Sequence, residues 1–260
     1  MIGIFDSGVG GMTVARAVET LLPDYQIVYY GDLARTPYGS KSHEAIIDYS
    51  IDNTKFLLGH GARVIIIACN SAASVASDIL RQQFDVPVFE VITPAVERAV
   101  ASTVTGNIGI IGTRATIRSG IYDQKIKQQV PEYRVFSKAC PLLVPLVEEG
   151  WINARETKMI LRKYLAPLKQ KQIDTLVLGC THYPLLKDLI RHRIGKNRIR
   201  LIDSSIEVAL TLKRHISENP DFDKTLHRGS ENKYFVSDLT KAAVAIAEEI
   251  FGRHINLTKV

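Results

Sequence analysis

Short runs of branched and aromatic apolar residues, each bounded by turn formers, recur along the chain as "IGIF", "QIVYYGD", "RVIIIA", "PVFEVI", "IGIIG", "YRVFSKA", "TLVLG", "RLID" and "KYFVSD". Between them lie stretches with helical spacing, predicted at about 11–22, 42–59, 72–84, 94–104, 116–129, 153–170, 184–194, 205–217 and 239–251. Strands that alternate with helices pair in parallel through right-handed crossovers, so the expected fold class is α/β. The helix after "GCTHYP" starts on Pro184. A first turn tolerates proline because the N–H there has no helical partner.

The pattern repeats at a coarse scale. "IGIFDSG" from Ile2 resembles "IGIIGTR" from Ile108, and some 70 residues after each comes an apolar strand that ends in cysteine, first in "ACNSA" at 68–72 and then in "GCTHYP" at 179–184. The chain reads as two related halves, each a mainly parallel sheet flanked by helices. Ligands of open parallel sheets bind beyond the carboxyl ends of the strands. Each half therefore offers one cleft edge, Asp6, Ser7 and Cys69 on one and Thr113 and Cys180 on the other, and facing halves would oppose the two thiols.

Composition sets limits on this picture. The chain has 260 residues, room for one large α/β domain or two modest ones, and 46% apolar with 23% charged residues fits a globular protein with a real core. The N-terminus lacks a basic and apolar leader pattern, and no run approaches the roughly 18 apolar residues of a membrane span, so a cytoplasmic protein without membrane contact is expected. The three cysteines form no CxxC pair, which favours free thiols over a disulfide framework or zinc ribbon. The formal charge of +6 is spread along the chain, densest in "KNRIR" at 196–200, and reads as solvated surface in preference to a nucleic-acid face.

Cys69 is followed by Asn70 and Ser71, and Cys180 by Thr181 and His182, at strand-to-helix turns whose outward N–H groups can hold a carboxylate or phosphate. A phosphatase loop would need a basic residue six positions after the cysteine, where Val75 and Leu186 stand. A single activated nucleophile could pair Cys180 with His182 but leaves Cys69 without a role. Zinc would need Cys69, Cys180 and His182 to converge through tight closure of the halves, and no metal is expected. Two opposed thiols suit removal of a proton from one face of a carbon acid and its return to the other, one sulfur ionised and the other protonated. That reaction is racemisation. A free thiol titrates near 8.5, so such a site must help ionisation. Asp6 cannot help by charge, which opposes a neighbouring thiolate; it would accept the thiol proton or hold a substrate ammonium, or it caps a helix or turn. "DSGVGG" at 6–11 is spaced GxGG, not GxGxxG, and reads as an anion loop.

Taken in order, "DSGVGG", "PYG" at 37–39, "ACNSA", "GTRAT" at 112–116, "LVPLVEEG" and "GCTHYP" resemble the glutamate racemases of the cofactor-independent aspartate/glutamate racemase superfamily, over nearly the whole chain. The resemblance implies two pseudo-symmetric α/β domains with the active site in the cleft between them, residues 1–93 plus 206–260 in the first and 94–205 in the second. It implies no pyridoxal phosphate or other cofactor and no metal. Cys69 would act on D-glutamate and Cys180 on L-glutamate, with Asp6 assisting near Cys69, His182 near Cys180, and Glu148 as a third accessory group beside the competing Glu149. Ser7, Pro37, Tyr38, Gly39, Asn70, Ser71, Thr116 and Thr181 match the substrate-binding motifs, Ser71 standing where threonine is commoner but keeping the hydroxyl. Cys140 has no counterpart in the repeat and is read as core. The implied role is supply of D-glutamate for peptidoglycan synthesis, cell wall biogenesis and cell shape, by a homodimer whose arrangement stays open and without need of a cell-wall precursor as activator. The alternatives are a sister aspartate racemase and a non-catalytic ligand-binding protein on the same scaffold.

Overall fold

In a computed structural model, which describes residues 1–195, 198–229 and 231–260, the alternating pattern becomes two parallel sheets with helices on their faces. The chain runs β1 (Ile2–Asp6), α1 (Met12–Leu21), β2 (Ile27–Gly31), α2 (His43–Gly59), β3 (Val64–Ile67), α3 (Asn70–Gln83), β4 (Val88–Glu90) and α4 (Ile92–Ser102). It continues through β5 (Asn107–Gly112), α5 (Arg114–Arg118), α6 (Ile121–Gln129), β6 (Arg134–Ala139), α7 (Leu143–Glu148), α8 (Arg155–Gln170), β7 (Thr175–Gly179), α9 (Lys187–Ile194) and β8 (Arg200–Asp203). Last come α10 (Ser204–Glu218), α11 (Pro220–Thr225), β9 (Lys233–Val236), α12 (Lys241–Phe251) and β10 (Leu257–Lys259).

The first sheet has the order β10-β9-β2-β1-β3-β4 and the second β6-β5-β7-β8, with every pairing parallel. The sequence repeat is thus a repeat of topology: β2-β1-β3-β4 and β6-β5-β7-β8 are the same arrangement. In each, the strand that opens the half pairs with the strand that ends in cysteine, Phe5 opposite Ile67 and Gly112 opposite Gly179. β1, β2, β3 and β7 are buried along their whole length, which is why their sequences are continuous apolar runs.

Strand alternation sorts the core of the second sheet. Ile108, Ile110 and Val177 join the large core that also holds Ile4, Ile66 and Val96, whereas Ile111, Leu176 and Leu178 face a second core with Leu161 and Leu165 of α8. Each such fully buried branched side chain stabilises the fold by about 1.5–3 kcal/mol relative to exposure. The predicted helix at 116–129 is two helices, because Gly120 stands between them in the left-handed region at φ 68°. The helix expected from 72 begins at Asn70, and the one expected from Pro184 opens as a 3₁₀ turn, Tyr183–Leu186, before α9. Lys196 and Asn197 of the basic cluster lie outside the described residues. None of the described helices is long and apolar enough to cross a membrane.

Candidate active site

Asp6 is the last residue of β1, Cys69 caps α3 just past β3, and Cys180 follows β7 directly, so all three stand at carboxyl ends of strands. Both cysteines line one cavity of about 120 Å³. Cys69 and Ser7 reach it from the first sheet, together with Pro37, Tyr38 and Gly39 and the start of α3 at Asn70 and Ser71. Cys180, Thr181, His182 and Glu148 reach it from the second.

Around Cys180 the groups form a chain. Its Sγ lies 4.0 Å from Nδ1 of His182, and Nε2 of the same ring lies 3.1 Å from Oε1 of Glu148 at the end of α7. Burial alone would lower the His182 pKa, but the hydrogen bonds to Cys180 and Glu148 outweigh it and raise it to about 10. Glu148, not its neighbour Glu149, contacts the ring and lines the cavity. Around Cys69 the contact is thinner: its Sγ donates to Ser7 Oγ at 3.5 Å. Burial pushes the Cys69 thiol up to about 12, with the Asp6 charge adding to the effect.

Asp6 does not line the cavity and makes no hydrogen bond to Cys69. Its Oδ2 accepts the N–H groups of Gly8 and Gly11 at 3.1 and 3.0 Å, and its Oδ1 accepts the Thr181 hydroxyl at 3.4 Å. The turn reading of Asp6 is therefore met in full, and the carboxyl touches the Cys180 loop through Thr181. Full burial raises its pKa, against the pull of His182 and the turn N–H groups.

Tyr38 lines the cavity, yet its hydroxyl is spent elsewhere, donating to Asp32 and accepting from Asn53 Nδ2 at 3.1 Å. It anchors the "PYG" loop from below. Ser71 Oγ lies 2.9 Å from Thr113 Oγ1 and 3.5 Å from Thr116 Oγ1, a hydroxyl cluster joining the two sheets. Thr113 caps α5 and faces the cavity, whereas Thr116 sits behind it. Cys140 is fully buried, as a core residue should be, and its carbonyl accepts the Tyr183 hydroxyl.

Arg114, Val144 and Pro145 also line the cavity and were not singled out from the sequence. Arg114 had a signal, since it follows Thr113, which takes after β5 the place that Ser7 takes after β1. The other two arrive on α7, which the sequence pattern did not reveal. A roomier cavity of about 400 Å³ between α1, α10 and α12 is lined mainly by apolar groups and holds no thiol. Among the described residues no cluster of three or more His, Cys, Asp or Glu side chains is arranged to hold a metal ion.

Two parallel α/β sheets that bring a thiol from each of two equivalent strand ends to one small cavity define the structural class, and comparison with known proteins gives its family. The model of the Asp/Glu/Hydantoin racemase family matches residues 12–210. The glutamate racemase of Persephonella marina is 46% identical over 259 residues, covering 100% of this chain and 96% of that protein. The crystal structure of a glutamate racemase isoform from Bacillus anthracis superposes with a TM-score of 0.93 at 34% identity, covering 100% of this chain and 97% of the other. That of the Francisella tularensis glutamate racemase in complex with D-glutamate gives 0.91 at 34% identity, covering 100% and 96%. The chain belongs to the Asp/Glu/Hydantoin racemase family, within its glutamate racemase group.

Proposed function

We propose that this enzyme interconverts L- and D-glutamate by a two-thiol, two-base mechanism without a cofactor. The observation that carries the reading is the pair of cysteines at equivalent strand ends, both lining one cavity. In the L-to-D direction Cys180, as thiolate beside the doubly protonated His182 ring, removes the α-proton of L-glutamate. The electron pair left on Cα is delocalised into the adjacent carboxylate, and Cys69, held protonated by burial, gives its proton to the opposite face. In the D-to-L direction Cys69 is the base. That is the form an L-to-D turnover leaves, Cys69 as thiolate and Cys180 holding the proton it took. Between successive D-to-L turnovers the Cys69 proton passes to solvent and Cys180 regains one, and the substrate's ammonium group offsets the cost of the Cys69 thiolate in a site that otherwise disfavours it. Binding falls to Ser7, Asn70, Ser71 and Thr181 with the backbone of the "PYG" loop, and Thr116 supports Ser71 from behind.

The same reading divides the chain into residues 1–93 plus 206–260 and residues 94–205. It assigns the enzyme, as a cytoplasmic homodimer, to the supply of D-glutamate for peptidoglycan. The test is proton NMR of L-glutamate and L-aspartate together in D₂O with reduced protein and no added cofactor. Loss of the α-proton signal from glutamate alone is expected. Exchange in aspartate alone would favour the sister activity, and exchange in neither would favour a non-catalytic ligand-binding role.

A further inference from the structure

Asn70 opens α3 directly after Cys69 and lines the cavity, and its buried side-chain Nδ2 has no hydrogen-bond partner in the protein. A buried donor without a partner is costly, and in a binding cavity it is the mark of a group that a ligand completes. The other end of the same carboxamide is fixed. Its Oδ1 accepts the hydroxyl of Tyr122 at 2.7 Å.

Tyr122 belongs to α6, between β5 and β6 of the second sheet, while Asn70 follows β3 of the first, so this bond crosses from one half of the fold to the other. The Tyr122 ring is buried and lies against Gly179, where an added Cβ would stand 3.3 Å from its Cε2. Gly179 is the residue before Cys180. A single phenol thus touches the supports of both thiols. Burial holds its proton far above the ordinary phenol range, so the hydroxyl stays a donor. With Oδ1 engaged, the carboxamide cannot turn over without leaving its acceptor facing the cavity.

We propose that Tyr122 is a positioning residue: its hydroxyl locks the Asn70 carboxamide so that Nδ2 presents its N–H groups to a carboxylate of the amino-acid substrate. This inference rests on the amino-acid racemase reading of the cavity. It also makes carboxylate recognition depend on the spacing of α3 and α6, since the donor is held only while the two helices keep it.

Tyr122→Phe keeps the ring against Gly179 and removes only the hydroxyl. KM for both L- and D-glutamate should rise about tenfold, the effect of weakening one hydrogen bond to a charged group, with kcat changed by less than about twofold. Asn70→Ala should raise KM at least as much, and adding Tyr122→Phe to it should raise KM no further, because the phenol acts through the amide. Asn70→Asp, which keeps an acceptor for Tyr122 but removes the donor, should raise KM as well, and gives an independent reading should Tyr122→Phe fold poorly. If Tyr122→Phe lowers the melting temperature and leaves KM alone, or if its effect adds in full to that of Asn70→Ala, the phenol is packing and the inference is overturned. Unaltered protein that exchanges no glutamate α-proton would overturn the racemase reading together with it, whereas active protein with an unmoved Tyr122→Phe KM counts against this inference only.

Discussion

His182 and Glu148 are joined across the cavity wall, Nε2 to Oε1 at 3.1 Å, linking the turn after β7 to the last residue of α7. The carboxylate holds the far side of the ring and leaves Nδ1 toward Cys180 at 4.0 Å. A neutral imidazole could exchange a proton with the thiol in only one tautomer. Held as a cation by the two partners against its burial, the ring keeps a proton on each nitrogen.

Replacing Glu148 with Gln removes the charge and should lower the His182 pKa from about 10. The folded value lies above the ordinary 6.5, so the cation stabilises the fold in full below about pH 6.5 and that contribution is lost as pH rises through about 10. Thermal melts of Glu148→Gln should therefore fall below those of the unaltered protein at pH 7 and converge with them above about pH 10. Turnover of L-glutamate, for which Cys180 is the proposed base, should drop by about 10–100-fold. A melting difference that grows with alkalinity would show that another group carries the effect.

Asp6 acts on the site in two opposed ways. Its charge helps hold the Cys69 thiol up near 12, so Asp6→Asn should make that thiol easier to ionise. It also closes the Gly8–Gly11 turn and reaches Thr181, which the amide would do less well. In a Cys180→Ala background, alkylation of Cys69 by iodoacetamide at pH 9 should accelerate in Asp6→Asn, by about tenfold for each unit of pKa lost. Racemisation by Asp6→Asn with both thiols present should nevertheless fall about 100-fold, because a more acidic thiol does not replace a misplaced loop. Slower alkylation would reverse the sign assigned to the Asp6 charge.

Much of this site was legible in the chain because the chemistry sits where strands end. Continuous apolar runs such as "VIII" and "TLVLG" mark fully buried strands, and a cysteine at the close of each marks a cleft edge. The "IGI" repeat carried through to the same four-strand order in both sheets, β2-β1-β3-β4 and β6-β5-β7-β8, with β10 and β9 added to the first. What stayed hidden was set by tertiary contact. Pro145 masks α7, although it falls in the helix's first turn, where proline costs no hydrogen bond. β10 has only three residues and exists by pairing with β9. The motif placed Tyr38 at the cavity, but that its hydroxyl turns away to Asp32 and Asn53 depends on α2 packing beneath it.

Gly10 shows how closely the two halves meet at the site. A Cβ there would stand 2.6 Å from Cε1 of His182 and 2.7 Å from Thr181 Oγ1. Gly10→Ala must therefore push the imidazole or the Thr181 hydroxyl aside, the first of which stands beside Cys180 while the second binds Asp6. Turnover should fall about 100-fold, as expected for a displacement near 1 Å at reacting groups. The melting temperature should fall by only a few degrees, since no buried apolar surface is lost. Full activity in Gly10→Ala would mean that the His182 ring need not stand where it does.

In the proposed mechanism neither thiol suffices alone. A one-base enzyme would remove the α-proton and return it to either face with the same group, so loss of the other cysteine would cost little. In a two-base enzyme each thiol is the acid for the direction in which the other is the base, and either single loss stops inversion. Cys69→Ala and Cys180→Ala should each reduce racemisation by at least about 10³-fold, followed by polarimetry from both L- and D-glutamate. The folds should be kept, since each change removes one buried sulfur, at a cost of about 1–2 kcal/mol. Cys140→Ala serves as the control: it deletes an equally buried thiol outside the cavity and should leave turnover within about twofold. A single active-site variant that keeps substantial turnover while Cys140→Ala behaves as expected would leave a one-base mechanism in its place.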